Sequence, residues 1–165
     1  KEGRPTTTDI PTPTPATYTP GSVRNDHMRV RFSEILERLD DVKAGGKTAL
    51  IDHRSPEEYR GERVNMTGAP NVGAERAGRI PGAKHLYFDE LLNDDMTFRD
   101  EAELRGLLEG VGATPDKDVI SYCRLSHRAT LCYFTMTQLL GYDSVRSYDG
   151  SWTEWGSLVG VPIEK

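Results

Sequence analysis

The sequence predicts an α/β fold, a central and mainly parallel sheet with helices on both faces. Two observations predict it. Short apolar runs alternate with stretches of helical spacing, most of them introduced by a capping signal. In addition, "YCRLSHRATL" (Tyr122–Leu131) follows one apolar run and opens directly into a helix, the strand–turn–helix junction where open α/β sheets place their sites.

The elements follow in chain order. Residues 1–22 are rich in Pro and Thr with almost nothing apolar to bury, so they read as an extended, polyproline-like linker ahead of a domain at 23–165. The chain begins without Met, which suggests a piece that normally follows something larger. Phe32, Ile35, Leu36, Leu39 and Val42 recur at helical spacing. "TALID" (Thr48–Asp52) is a short apolar strand. Ser55, Pro56 and Glu58 then form a complete capping box with proline at the first helical position. "AKHLY" (Ala83–Tyr87) reads as a strand, and Asp100 caps a helix with Leu104, Leu107, Leu108 and Val111 on its apolar face. "DVISY" (Asp118–Tyr122) is a clear strand. Arg128 to Leu140 forms a helix with Cys132, Met136, Leu139 and Leu140 on one face, stopped by Gly141. "SVRSY" (Ser144–Tyr148) is the last strand, and Ser151 with Glu154 makes a second capping box before the final helix.

At 165 residues the chain has room for one domain with a real core plus a tail. No apolar run approaches the roughly 20 residues that span a bilayer, and the start is charged and polar, so no membrane partner is expected. A net charge of −5 argues against nucleic acid. With 2 Cys and 4 scattered His, no zinc-site spacing occurs, and the acidic stretch 89–103 does not match an EF-hand loop; no metal and no cofactor are expected. Sparse cysteine fits the reducing cytoplasm, with the periplasm also open.

The chemistry gathers at Cys123. A tight turn lines up backbone N–H groups, the helix N-terminus adds partial positive charge, and Arg124 and Arg128 add formal charge. All of these favour thiolate over thiol, against a free-Cys pKa of about 8.5. The bland alternative is a buried strand-end cysteine. Cys132, inside the helical periodicity, reads as core or as a resolving thiol under oxidation. Loop length separates two Cys chemistries: a phosphatase loop is Cys-x5-Arg, whereas here the loop closes at Arg128 and the phosphatase arginine position is Ala129. The shorter ring suits a sulfane sulfur and a cysteine persulfide.

Four stretches, "LIDHRSPEEYRGE", "AGRIPGAKHLYFDELL", "YCRLSHRA" and "YDGSWTEWGSLVGVPIE", together resemble the rhodanese sulfurtransferases, in particular the catalytic C-terminal half of tandem-domain thiosulfate sulfurtransferases. The resemblance implies a three-layer rhodanese-like sandwich and a preceding, non-catalytic half. It implies sulfur transfer from thiosulfate through a persulfide on Cys123 to cyanide or a thiol, with sulfite released. Substrate contacts would come from the loop residues Arg124, Leu125, Ser126, His127 and Arg128, the two arginines favouring thiosulfate over 3-mercaptopyruvate. Asp52 and Arg54 match the acidic and basic pair of the first motif, read as a brace rather than as substrate ligands, and Trp152 as lining the pocket mouth. The alternatives are a 3-mercaptopyruvate sulfurtransferase and a non-catalytic rhodanese-like binding module. Ser126 stands where the family usually has glycine, at a cost of about 1 kcal/mol if positive φ is required there, and Arg79 stands where it usually has histidine.

Overall fold

A computed structural model describes residues 3–22 and 25–165. Residues 3–22 are exposed and carry neither helix nor strand, consistent with a composition that buries nothing. The expected domain start at Val23 lies outside the described residues. Four strands form the sheet: β1 (Thr48–Asp52), β2 (Lys84–His85), β3 (Asp118–Tyr122) and β4 (Val145–Ser147). Their order is β2-β1-β3-β4 and every pairing is parallel. One further parallel bridge, Arg29 to Ser147, extends the β4 edge. The helices are α1 (Phe32–Glu37), α2 (Leu39–Lys43), α3 (Pro56–Tyr59), α4 (Glu101–Gly110), α5 (His127–Phe134) and α6 (Ser151–Trp155).

The strands' period of two sorts their side chains onto two faces. Leu50, Ile120 and Tyr122 join a core with Ile35, Leu39 and Val42 of α1 and α2 and with Trp152 and Trp155 of α6. Ala49, Ile51 and Val119 face the other way, onto Leu104 and Leu108 of α4 and Cys132 of α5. This is the three-layer architecture read from the sequence.

Local signals hold closely at the caps. Ser55 Oγ accepts the Glu58 N–H while the Glu58 carboxylate accepts the Ser55 N–H, and Asp100 with Glu103 does the same for α4. Three elements differ from expectation. The first helix breaks at Arg38 (φ −100°, ψ 1°), which turns Leu36 outward. The strand expected over Ala83–Tyr87 pairs at Lys84 and His85 alone, because the next residues curl into a 3-10 turn at Phe88–Leu91. Past α5 the chain widens into a π turn at Thr135–Leu139, and the wider turn rotates Leu139 to the surface while Met136 and Leu140 stay buried. Among the described residues no helix is long and apolar enough to cross a membrane.

Candidate active site

The β1–β3 register pairs Asp52 with Tyr122, so the segments that follow both strands leave the sheet side by side. The His53 N–H donates to the Tyr122 carbonyl at 2.9 Å. From β1 the chain steps to β2 on one side, then to β3 on the other, so strand order reverses here. Open α/β sheets bind ligands in the crevice beyond such a reversal. Cys123 is the first residue past β3, and α5 begins at His127.

The intervening loop is held from one side. Ser151 Oγ accepts the N–H groups of Cys123 (3.2 Å) and Ser126 (3.1 Å). The carbonyls of Cys123 and Arg124 accept the N–H groups of Trp152 (3.0 Å) and Thr153 (3.1 Å) from α6. Ser126 adopts the left-handed conformation, φ +62°, so the glycine-like geometry is required and a serine pays for it locally. Its hydroxyl pairs with that of Ser147 at 2.8 Å, facing β4. The N–H groups of Arg124, Leu125, His127, Arg128 and Ala129 have no acceptor among the described residues. That run of unclaimed donors, at the head of an eight-residue helix, can stabilise an anion such as a thiolate, persulfide or oxyanion.

The loop's two arginines differ from each other. Arg128 makes a two-pronged contact with Glu58 (2.6 and 2.9 Å), whose side chain is fully buried. Burial pulls the Arg128 pKa down, but the hydrogen bond and charge of Glu58, with Cys123 nearby, outweigh it and hold it above its ordinary value. Much of its charge is therefore already balanced. Arg124 instead donates from Nη2 to the Val72 carbonyl at 3.0 Å, and its Nε is buried with no acceptor among the described residues. Gly73 (φ +116°) makes room for it: a β-carbon there would lie 2.1 Å from Nη2. Leu125 and His127 are exposed, Ser126 is buried, and Cys123 is 1% exposed. Beside a reactive thiol, the sequence left open a buried strand-end cysteine, and in the fold Cys123 is buried.

Behind the loop, Asp52 and Arg54 form a fully buried ion pair. Arg54 Nε reaches both carboxylate oxygens (3.0 and 3.1 Å), Nη2 reaches Oδ2 (2.6 Å), and the Tyr122 hydroxyl donates to Oδ2 (2.7 Å). Arg54 Nη2 also ties to the Gly78 carbonyl at 2.7 Å, pinning the loop ahead of β2. Burial pushes the Asp52 pKa up, but the Arg54 charge overrides it and leaves it lowered. The geometry is that of a brace. Trp152, expected at the pocket mouth, is instead fully buried: its ring lies 4.4 Å under the Arg54 guanidinium and its Nε1 donates to the Arg76 carbonyl at 3.0 Å. The reason is that α6 packs its Trp face onto the sheet. Cys132 is fully buried as well, and burial first, then the charge of Cys123, push its pKa well up, so it remains a thiol.

Sequence reasoning missed Ser151 and the second role of Glu58. Ser151 was read as an N-cap, yet Gly150 occupies that position and Ser151 is the first helical residue at φ +52°. Its hydroxyl turns to the Cys123 loop, a partner 28 residues away that no local pattern signals. For Glu58, the signal was a buried acid facing a cationic loop, visible once β1 and β3 are paired.

The structure places a strand-end cysteine on a short loop, set before a helix at the switch point of a parallel α/β sheet. The Rhodanese-like domain family matches residues 33–158, and the chain belongs to that family. It is 48% identical over its whole length to 57% of the "Sulfur carrier protein TtuD" of Thermus thermophilus. Over 81% of its length it is 46% identical to 47% of a "Putative thiosulfate sulfurtransferase" of Haloferax volcanii. The chain thus spans about half the length of the curated relatives it matches. Among solved structures, the anaerobic ergothioneine biosynthesis enzyme of Chlorobium limicola superposes with a TM-score of 0.71 at 28% identity, covering 84% of this chain and 32% of the enzyme. A structure of EanB with a cysteine persulfide and ergothioneine gives a TM-score of 0.75 at 27% identity, covering 92% of this chain and 36% of that one.

Proposed function

We propose that this domain is a sulfurtransferase that carries sulfane sulfur as a persulfide on Cys123. The observation that carries the proposal is the set of unclaimed N–H groups of Arg124, Leu125, His127, Arg128 and Ala129 beside a strand-end cysteine. The Cys123 thiolate attacks the outer sulfur of thiosulfate; the S–S bond of thiosulfate breaks and sulfite leaves with its electron pair. A cysteine persulfide anion remains, matched to the free donors. Cyanide or a thiolate then attacks the outer sulfur, takes it as thiocyanate or a new persulfide, and returns Cys123 as thiolate. This is covalent catalysis by double displacement. The names of the Thermus and Haloferax relatives, a sulfur carrier and a thiosulfate sulfurtransferase, agree with this chemistry.

One observation favours 3-mercaptopyruvate as the donor instead. Glu58 balances Arg128, which leaves Arg124 to meet the charge of a dianion. Kinetics with both donors on one preparation decide between them. The test of the reaction itself is mass spectrometry after thiosulfate treatment: the protein gains one sulfur atom and Cys123→Ala does not. A domain that folds, binds a protein partner and never takes up sulfur is a binding module. Two free cysteines fit a cytoplasmic setting, and comparing this chain with a longer version tests whether a preceding half contributes.

A further inference from the structure

We infer that Ser151 is the positioning residue of the Cys123 loop, acting as a hydrogen-bond acceptor and not as an acid. A hydroxyl has one proton and two lone pairs. The Ser151 proton goes to the Tyr148 carbonyl at 2.9 Å. Its lone pairs take the N–H groups of Cys123 and Ser126. Every hydrogen-bonding capacity of this side chain is used, so it has no proton to give to the Cys123 sulfur or to a donor.

What it does is geometric. The N–H groups at the first and fourth positions of the loop converge on one oxygen, while those of Arg124, Leu125, His127, Arg128 and Ala129 stay unclaimed. Ser126 at φ +62° turns its N–H back to that oxygen, and Ser151 holds φ +52° to deliver it. Two non-glycine residues in the left-handed region, facing each other across one fully buried hydroxyl, mark a place where local strain is kept for a purpose. That purpose is the curvature of the sulfur cradle. The charged groups around the thiol come from other elements, Arg124 and Arg128 of the loop and α5, and Glu58 of α3, and Ser151 adds no charge to them.

The inference rests on the sulfur-transfer reading, and two variants test it. Ser151→Ala removes the hydroxyl and keeps the strained backbone. Ser151→Gly removes the hydroxyl and relieves the strain, so it folds even where the alanine variant is weak. For both, kcat for sulfur transfer falls about tenfold or more while KM for thiosulfate changes less than about threefold, the split expected when an interaction of the transition state is lost. Iodoacetamide alkylation of Cys123 at neutral pH, followed by peptide mass spectrometry, slows about tenfold because the thiolate loses its aligned donors. A purely structural role predicts the reverse, since a loosened loop exposes a thiol that is now covered. Faster or unchanged alkylation, or an unchanged kcat, overturns the assignment. If the wild-type protein takes up no sulfur, the sulfur-transfer reading fails, and the alkylation rates still decide the role of Ser151.

Discussion

His53 makes folding stability depend on pH, and the size of the effect follows from its burial. The side chain is fully buried at the end of β1, with Nδ1 donating to the Leu86 carbonyl at 2.8 Å and Nε2 without a partner among the described residues. Burial, opposed by the Leu86 bond and the Asp52 charge, pushes its pKa down to about 4. The unfolded chain titrates this histidine near 6.5. Between those values the unfolded state binds the extra proton, so stability is fully present above about pH 6.5 and is lost as pH falls towards 4. The difference in pKa corresponds to about 3 kcal/mol. For about 140 ordered residues that amounts to about 10 °C in Tm. His53→Asn supplies an amide N–H in the Nδ1 position, keeps the Leu86 bond and removes the titration. Urea unfolding at pH 7, 5.5 and 4 measures the effect: the wild-type advantage over His53→Asn shrinks by about 3 kcal/mol across that range. Parallel pH profiles for the two proteins would refute the argument, because they would mean that His53 accepts its proton in the folded state as readily as in the unfolded one.

Two further outcomes are expected. Glu58→Gln leaves Arg128 largely buried without its carboxylate and costs about 3 kcal/mol; added thiosulfate then raises its Tm more steeply than that of the wild type, and an equal response in a thermal-shift titration would show that Arg128 does not reach the donor. Ser126→Gly relieves about 1 kcal/mol of left-handed strain and gives up a hydroxyl pair worth about the same, so its Tm stays near wild type, whereas Ser126→Ala keeps the strain and loses about 1 kcal/mol. Equal melting temperatures for the alanine and glycine variants would remove the strain argument.

The strands and caps were legible because their causes are local. Thr48–Asp52 and Asp118–Tyr122 appear in the structure with the bounds their apolar runs suggested, and Ser55 and Asp100 cap as their spacing requires. The position of Cys123, after a strand and before a helix, was legible as well, since the apolar run ending at Tyr122 and the helix beginning at His127 are both local signals. What escaped the sequence depends on distant partners. Ser151 satisfies the Ser-x-x-Glu pattern of a cap, but the amides of Cys123 and Ser126 compete for its oxygen and win. Trp152 reads as lining a pocket mouth until the Arg54 guanidinium comes to cover its face. Arg128 reads as free charge until pairing of β1 with β3 brings in Glu58 from 70 residues away. The π turn at Thr135–Leu139 leaves no signature in a helical periodicity and shows itself through Leu139, which a regular helix would have buried.

On the proposed sulfur-transfer reading, the burial of Cys123 would set the carrier behind its cargo. A persulfide places its terminal atom about 2 Å beyond the sulfur that holds it. With Cys123 buried, an incoming acceptor would meet the transferable atom first, and the carbon-bound sulfur would lie behind it. Attack at the wrong sulfur, which would release the cargo as sulfide and trap the protein in a mixed disulfide, is thereby disfavoured by depth alone.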